Sequence, residues 1–138
     1  MSDSIKHECG IALLRLLKPL KYYQEKYNSL FFGIHKMYLM LEKQHNRGQD
    51  GAGFASIKFD MNPGDGFMSR VRSSENQPIQ DIFSTINSDL NEVFQELGKN
   101  NLTDLEIKQA YPYLGELMMG HLRYGTFGNN GIGSVHPF

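Results

Sequence analysis

Two stretches of the chain repeat apolar residues at the spacing of a helix, and a third carries a helix-start signal. The longest predicts a helix over residues 79–97, with Pro78 in its first turn and one apolar face made of Ile79, Ile82, Phe83, Ile86, Leu90, Val93, Phe94 and Leu97. A second helix is predicted over residues 30–44, with Ser29 as its N-cap. The pattern of residues 103–106, Thr-Asp-Leu-Glu, is typical of a capping box and predicts a third, short helix.

Strand signals lie around these helices. Residues 9–17 form a short apolar run that suits a buried strand ending before Pro19. Residues 53–59 alternate and predict a half-buried strand with its odd-numbered positions inside: Ala55, Ile57 and Phe59. A last strand is predicted over residues 116–123. The polar and aromatic residues 18–28 are interpreted as a loop.

A turn signal pairs two of the strands. The sequence Asn-Pro-Gly-Asp-Gly at residues 62–66 favours a tight turn, so residues 67–72 are predicted to return as a hairpin with the strand before them. The order of elements is then strand, helix, hairpin, two helices and strand. Because strands and helices do not strictly alternate, the pattern favours an α+β layered domain over a doubly wound one.

Composition narrows the function classes. The 138 residues suit a single domain, and 14 Lys+Arg against 15 Asp+Glu leave no basic excess for a nucleic-acid partner. A single cysteine cannot form an internal disulfide, and the polar N-terminus shows no signal peptide. No stretch approaches the roughly 20 apolar residues of a membrane span. We therefore expect a cytoplasmic protein without a membrane partner.

Three clusters mix glycine with polar residues: residues 8–10, 45–53 and 120–128. Taken singly, each has an ordinary explanation. A lone cysteine such as Cys9 in an apolar strand is usually a small buried hydrophobe. Arg47 suits the C-terminal end of its own helix, and His121 with Arg123 suits a surface pair on one side of a strand. Two further histidines are too few and too scattered to indicate a metal site: His45 and His136.

In this order, the clusters resemble the glutaminase domain of the class II, N-terminal-nucleophile glutamine amidotransferases. The resemblance rests on Cys-Gly-Ile at residues 9–11, Arg-Gly-Gln-Asp-Gly-Ala-Gly at 47–53, His-x-Arg-Tyr-x-Thr-x-Gly at 121–128 and His-Pro-Phe at 136–138. Gln49 stands where the amino-sugar branch tends to carry tyrosine, so the chain is most similar to the purine branch, the amidophosphoribosyltransferases. Gly125 is a mild departure, since the family often has proline or alanine there.

The resemblance implies roles for four residues. Cys9 matches the nucleophile, which in the family becomes the first residue of the mature enzyme, so residues 1–8 are expected to be a propeptide. A free α-amine can take the proton of the thiol, whereas a peptide nitrogen cannot. Arg47 matches the arginine that holds the nucleophile's end of the site. Arg123 matches the arginine that pairs with the α-carboxylate of glutamine, and Thr126 matches a residue that helps to bind the same substrate.

The resemblance also implies a fold and a parent reaction. The expected fold is a truncated four-layer αββα sandwich, with residues 9–138 as the N-terminal part of the glutaminase domain. The family's oxyanion donors and its phosphoribosyltransferase domain would lie further along, so the isolated chain is expected to be inactive. Expected partners are glutamine and, through the second domain, phosphoribosyl diphosphate, in a homo-oligomeric parent. No cofactor or metal is expected in this chain, since Mg²⁺ would belong to the second domain.

Two alternatives stay open. One is another class II amidotransferase of the amino-sugar type. The other is a catalytically incompetent fragment that binds glutamine or only assembles with a partner chain.

Overall fold

The protein is a two-layer arrangement of helices on a sheet. A computed structural model describes residues 8–98, 100–125 and 131–138. Four strands form one antiparallel sheet in the order β1-β4-β2-β3: β1 Gly10–Arg15, β2 Gly51–Ile57, β3 Met68–Ser73 and β4 Leu117–Arg123. The described residues also form four α-helices: α1 Leu20–Tyr27, α2 Phe32–Glu42, α3 Pro78–Leu97 and α4 Asp104–Ala110. The predicted α+β class is confirmed. None of these helices combines the length and apolar character that crossing a membrane requires.

The core lies between the sheet and the helices α2 and α3. Gly120 of β4 leaves room for α2, because a Cβ at this position would come within 3 Å of the Leu41 and Met37 side chains. Phe54 of β2 packs against Phe83 of α3, with their ring centroids 6.2 Å apart. β1, β2 and β4 contribute their even-numbered side chains to this core, among them Ala12, Ala52, Phe54, Met118 and Leu122.

The predicted inner face of β2 is therefore wrong. The fully buried side chains are at even positions, such as Phe54 and Ser56, whereas Ala55 and Ile57 are only half-buried. Both faces of this strand carry apolar residues, so alternation alone could not identify the face that the helices cover. Phe54 decides it, because its large ring fills the space beneath α3.

The other face of the sheet carries the odd-numbered positions of β1, β2 and β4 and the even-numbered positions of β3, which the register places side by side. Residues 135–137 cover one end of it, and we call the rest the open face, defined by Ile11, Leu13, Arg15, Ile57, Met68, Arg70, Leu117 and Met119. Ile11 and Leu13 are each 64% exposed, and Met68 is 56% exposed. A contiguous apolar surface on the face of a sheet is unusual for an isolated monomer.

The segment 18–28, predicted to be a loop, contains the helix α1. Its aromatic side chains are ordered by stacking, with Phe32 lying 5.1 Å from Tyr23 and 4.4 Å from Tyr27, centroid to centroid. Asn28, in the left-handed region with φ of 55°, ends the helix. The loop interpretation was wrong because the partner that stabilises this polar helix lies in the next element.

Other boundaries follow the sequence more closely. α2 begins at Phe32, and the Ser29 hydroxyl accepts a hydrogen bond from the Phe31 N–H, so the predicted N-cap is wrong. The hairpin of β2 and β3 and the long helix α3 are confirmed. The capping box of α4 is confirmed as well, since Thr103 and Glu106 bond each other's backbone N–H groups.

A buried charge cluster fastens α4 to the sheet. The ammonium of Lys108 lies 2.8 Å from the Glu116 carboxylate, and the other oxygen of Glu116 accepts a hydrogen bond from the Phe59 N–H. Lys58 donates to the carbonyl oxygens of Lys108 and Tyr111. Burial, followed by the charge of Lys108, lowers the pKa of Lys58.

Candidate active site

The start of β1 and the end of β4 bring the first and third sequence motifs together. The Cys9 sulfur accepts a hydrogen bond from the Tyr124 N–H at 3.4 Å and lies 3.9 Å from the Tyr124 carbonyl oxygen. These residues are 115 positions apart in sequence. Gly10 pairs with Leu122, so Cys9 enters the sheet beside Arg123. The thiol is exposed, whereas Arg123 is only 6% exposed.

The second motif packs against the backbone of the same strand end. A Cβ at Gly48 would lie 2.7 Å from the carbonyl carbon and oxygen of Arg123, so only glycine permits this approach. Asp50 donates its backbone N–H to the Arg123 carbonyl oxygen at 3.0 Å, and its carboxylate accepts the Gly125 N–H at 2.7 Å. Gly51 then pairs with Arg123 in the ladder of β2 and β4. The three motifs therefore meet around residues 123–125.

The remaining predicted site residues are placed differently. Arg47 ends a short 3₁₀ turn, His45–Arg47, and is exposed. Within the described residues, no hydrogen bond or ion pair joins its guanidinium to Cys9. The neighbouring Gln44 reaches the first strand instead, donating to the Ile11 carbonyl oxygen at 3.3 Å. Thr126 and residues 1–7 of the expected propeptide lie outside the described residues.

The His-Pro-Phe triplet lies against the third motif. The rings of His121 and His136 are 5.0 Å apart, and a Cβ at Gly53 would overlap the carbonyl oxygen of His136. Arg72 donates to the Val135 carbonyl oxygen at 2.9 Å and holds this segment on the sheet. The Nδ1 of His121 is buried, with no hydrogen-bond partner among the described residues.

The electrostatics of His121 follow from this packing. Burial lowers the pKa of His121, and the charges of His136 and Arg123 lower it further. The imidazole is therefore held in its neutral form beside the candidate site. Among the described residues, no group of three or more His, Cys, Asp or Glu side chains could hold a metal ion.

Sequence reasoning named Cys9 and Arg123 but gave no role to Asp50, Gln44 or His121. Asp50 lies in the second motif, close to Gly48, Gly51 and Gly53. Several glycines so near each other indicate that two backbone segments approach closely there. Gln44 carried no signal, since its contact with β1 depends on the angle at which α2 ends. A nearby pocket of about 320 Å³ is lined by Gly48, Gln49 and the first turn of α3, but Cys9 and Arg123 lie outside its lining.

The site combines an exposed thiol, a backbone N–H of Tyr124 that donates to its sulfur, and the buried Arg123, the residue before Tyr124 in sequence. Such a set suits nucleophilic attack by sulfur on a substrate that carries a carboxylate. No protein-family model matches the chain, and comparisons with curated proteins and with solved structures also give no match.

Proposed function

We propose that this chain carries the glutamine-hydrolysing half-reaction of a class II glutamine amidotransferase of the amidophosphoribosyltransferase branch. One observation carries the proposal: the Cys9 sulfur lies 3.4 Å from the Tyr124 nitrogen, beside Arg123, although 115 residues separate the two. The fold thus unites the two motifs that would supply a nucleophile and a carboxylate clamp. An ordinary buried cysteine would need neither the exposure of this thiol nor its position at a strand end.

The proposed chemistry begins with cleavage of the peptide bond between Glu8 and Cys9, which frees the Cys9 α-amine. The amine takes the thiol proton, and the thiolate adds to the carboxamide carbon of glutamine. The tetrahedral intermediate expels ammonia, which leaves with the proton that the amine had received. Water then hydrolyses the γ-glutamyl thioester, releasing glutamate and restoring the thiol.

Arg123 would bind the α-carboxylate of glutamine. Its planar guanidinium matches a carboxylate with two parallel hydrogen bonds, which an ammonium cannot do. Burial supports this role, because a charge-assisted hydrogen bond is stronger where water is excluded. Arg47 and Thr126 keep the roles that the resemblance assigns, next to the nucleophile and the substrate.

The ammonia would be consumed by a phosphoribosyltransferase domain, where phosphoribosyl diphosphate with Mg²⁺ yields 5-phosphoribosylamine. Gln49 favours this purine branch over the amino-sugar alternative. The proposed setting is the cytoplasm, and the parent enzyme is a homo-oligomer.

The finer fold assignment is also a proposal. In a four-layer αββα sandwich, a second sheet would cover the open face and the helices would stay outside. The exposure of Ile11, Leu13 and Met68 supports this assignment, since these side chains form an apolar surface of the kind that sheets bury against each other.

The test is covalent labelling with a glutamine analogue that carries a diazoketone in place of the carboxamide. We expect a single adduct on Cys9, slowed by glutamine and absent in Cys9→Ala. Arg123→Ala removes the charge-assisted contact with the analogue's carboxylate. The loss of even one such hydrogen bond, worth about 1.5–3 kcal/mol, should weaken apparent analogue binding roughly 10- to 150-fold. Iodoacetamide, which has no carboxylate, should react with Cys9 at an unchanged rate.

Arg70→Ala is the matched control, because Arg70 lies on the same sheet face but on the edge strand β3. It should leave both reagents unaffected. Labelling away from Cys9, or labelling that glutamine does not slow, would overturn the proposal. If Arg123→Ala slowed the reaction of Cys9 with both reagents equally, the role of Arg123 would be structural.

A further inference from the structure

We infer that Asp50 is the positioning residue of this site, holding the main chain of residues 123–125 so that Arg123 and Tyr124 lie against Cys9. The inference rests on the proposed function for its substrate, and on the hydrogen bonds around Asp50 for its geometry.

Asp50 forms two hydrogen bonds with the main chain at the end of β4. Its backbone N–H donates to the Arg123 carbonyl oxygen at 3.0 Å, and its carboxylate accepts the Gly125 N–H at 2.7 Å. Between these two points lies Tyr124, whose own N–H points at the Cys9 sulfur. A single side chain and its backbone thus fix both neighbours of the residue that contacts the nucleophile.

Gly48 packs closely against the same side of this segment as Asp50. Gly48 lies so close to the Arg123 carbonyl group that a Cβ there would be 2.7 Å from its carbon and oxygen. Residues 123–125 are therefore held between the Gly48–Asp50 segment and Cys9. If the carboxylate is lost, Gly125 loses its acceptor, and the chain beyond β4 can move away from Cys9.

The expected consequence is a selective loss of glutamine binding. In the parent enzyme, Asp50→Ala should raise the KM for glutamine at least about tenfold with a smaller change in kcat, because the main chain that follows Arg123 loosens at Gly125 while Cys9 stays at the start of β1. Asp50→Asn keeps a side-chain oxygen as acceptor and should stay within about threefold of wild type. Asp50→Glu carries its carboxylate one methylene further and should raise KM as Ala does.

The matched control is Asp65→Ala. Asp65 also accepts one hydrogen bond, at 2.8 Å from the Gln109 side chain, but lies in the hairpin turn away from the site. It should leave the KM for glutamine unchanged. If Asp50→Ala does not fold, the contrast between Asp50→Asn and Asp50→Glu is the test, and equal wild-type KM values in both would overturn the inference.

A second readout does not depend on turnover. Amide hydrogen exchange at Gly125 and Tyr124 should accelerate in Asp50→Ala and recover in Asp50→Asn. A wild type that hydrolyses glutamine, with unchanged KM and exchange in Asp50→Ala, would overturn the role of Asp50 and leave the proposed function standing. A wild-type parent enzyme that does not hydrolyse glutamine, with exchange that responds as expected, would overturn the proposed function and support the positioning.

Discussion

At the scale of single residues, His121 couples the site to pH. Burial, then His136 and Arg123, lower its pKa in the folded protein, so the unfolded chain binds the proton more readily. The contribution of the neutral imidazole is therefore complete above the ordinary histidine pKa of about 6.5. It is lost as the pH falls below that value towards the lower pKa of the folded state.

We predict that His121→Gln flattens the dependence of stability on pH. Wild-type protein should lose stability between pH 7 and 5, and the variant should lose less over the same interval. Urea unfolding at half-unit pH steps measures the difference. His35→Gln, a change at an exposed histidine of α2, should retain the wild-type slope. If the free energy of unfolding fell equally with pH in wild type and His121→Gln, burial of this ring would not be the cause of the loss of stability in acid.

At the scale of elements, the charge cluster beneath α4 joins a helix to two strand ends. The side chains of Lys108 and Glu116 are only 5% and 11% exposed, and Lys58 adds a second buried ammonium. Glu116 also accepts a hydrogen bond from the Phe59 N–H. Its carboxylate therefore both neutralises the charge of Lys108 and holds the backbone at Phe59. Breaking a buried pair of this kind leaves an uncompensated charge in a place that water does not reach.

We predict that Glu116→Gln destabilises the fold by about 3–5 kcal/mol, because the buried ammonium groups of Lys58 and Lys108 then lose the nearer anion and, among the described residues, only Asp104, 3.7 Å from Lys108, remains. The measurement is the free energy of unfolding in urea. Replacing the pair together, Lys108→Met with Glu116→Leu, should recover part of that loss. Glu92→Gln on the exposed side of α3 is the control and should stay within about 0.5 kcal/mol of wild type. A loss no larger than the control's would mean that solvent reaches the cluster.

The elements that sequence predicts well are those specified by their own residues. The helix α3 has a continuous apolar face, and α4 has both halves of its capping box within four residues. The helix α1 depends on Phe32 of the next element, and the inner face of β2 depends on α3, so local patterns missed both. The residues of the candidate site also fall into those that the sequence identifies and those that only the fold identifies. Motifs indicated Cys9 and Arg123, whereas the contacts of Asp50 depend on strand pairing across more than 70 residues.

At the scale of the whole molecule, the sheet has a covered face and an open face. Helices bury the even-numbered side chains of β1, β2 and β4, while the open face keeps apolar groups in contact with water together with cationic side chains such as Arg70. β1 and β3 are also the edge strands of the sheet. A sheet with exposed edge strands and an apolar face tends to associate with another sheet.

We predict that the isolated 138-residue chain self-associates through the open face. Light scattering over a concentration series should give a mass that rises with concentration. Ile11→Lys with Leu13→Lys should shift the chain towards monomer at little cost in folding, because both side chains are already 64% exposed. Leu39→Lys, a change at a 53% exposed residue of α2, is the control and should associate like wild type. A wild-type chain that stays monomeric at about 100 μM would contradict the prediction. It would show that this apolar sheet face stays exposed to water without driving association.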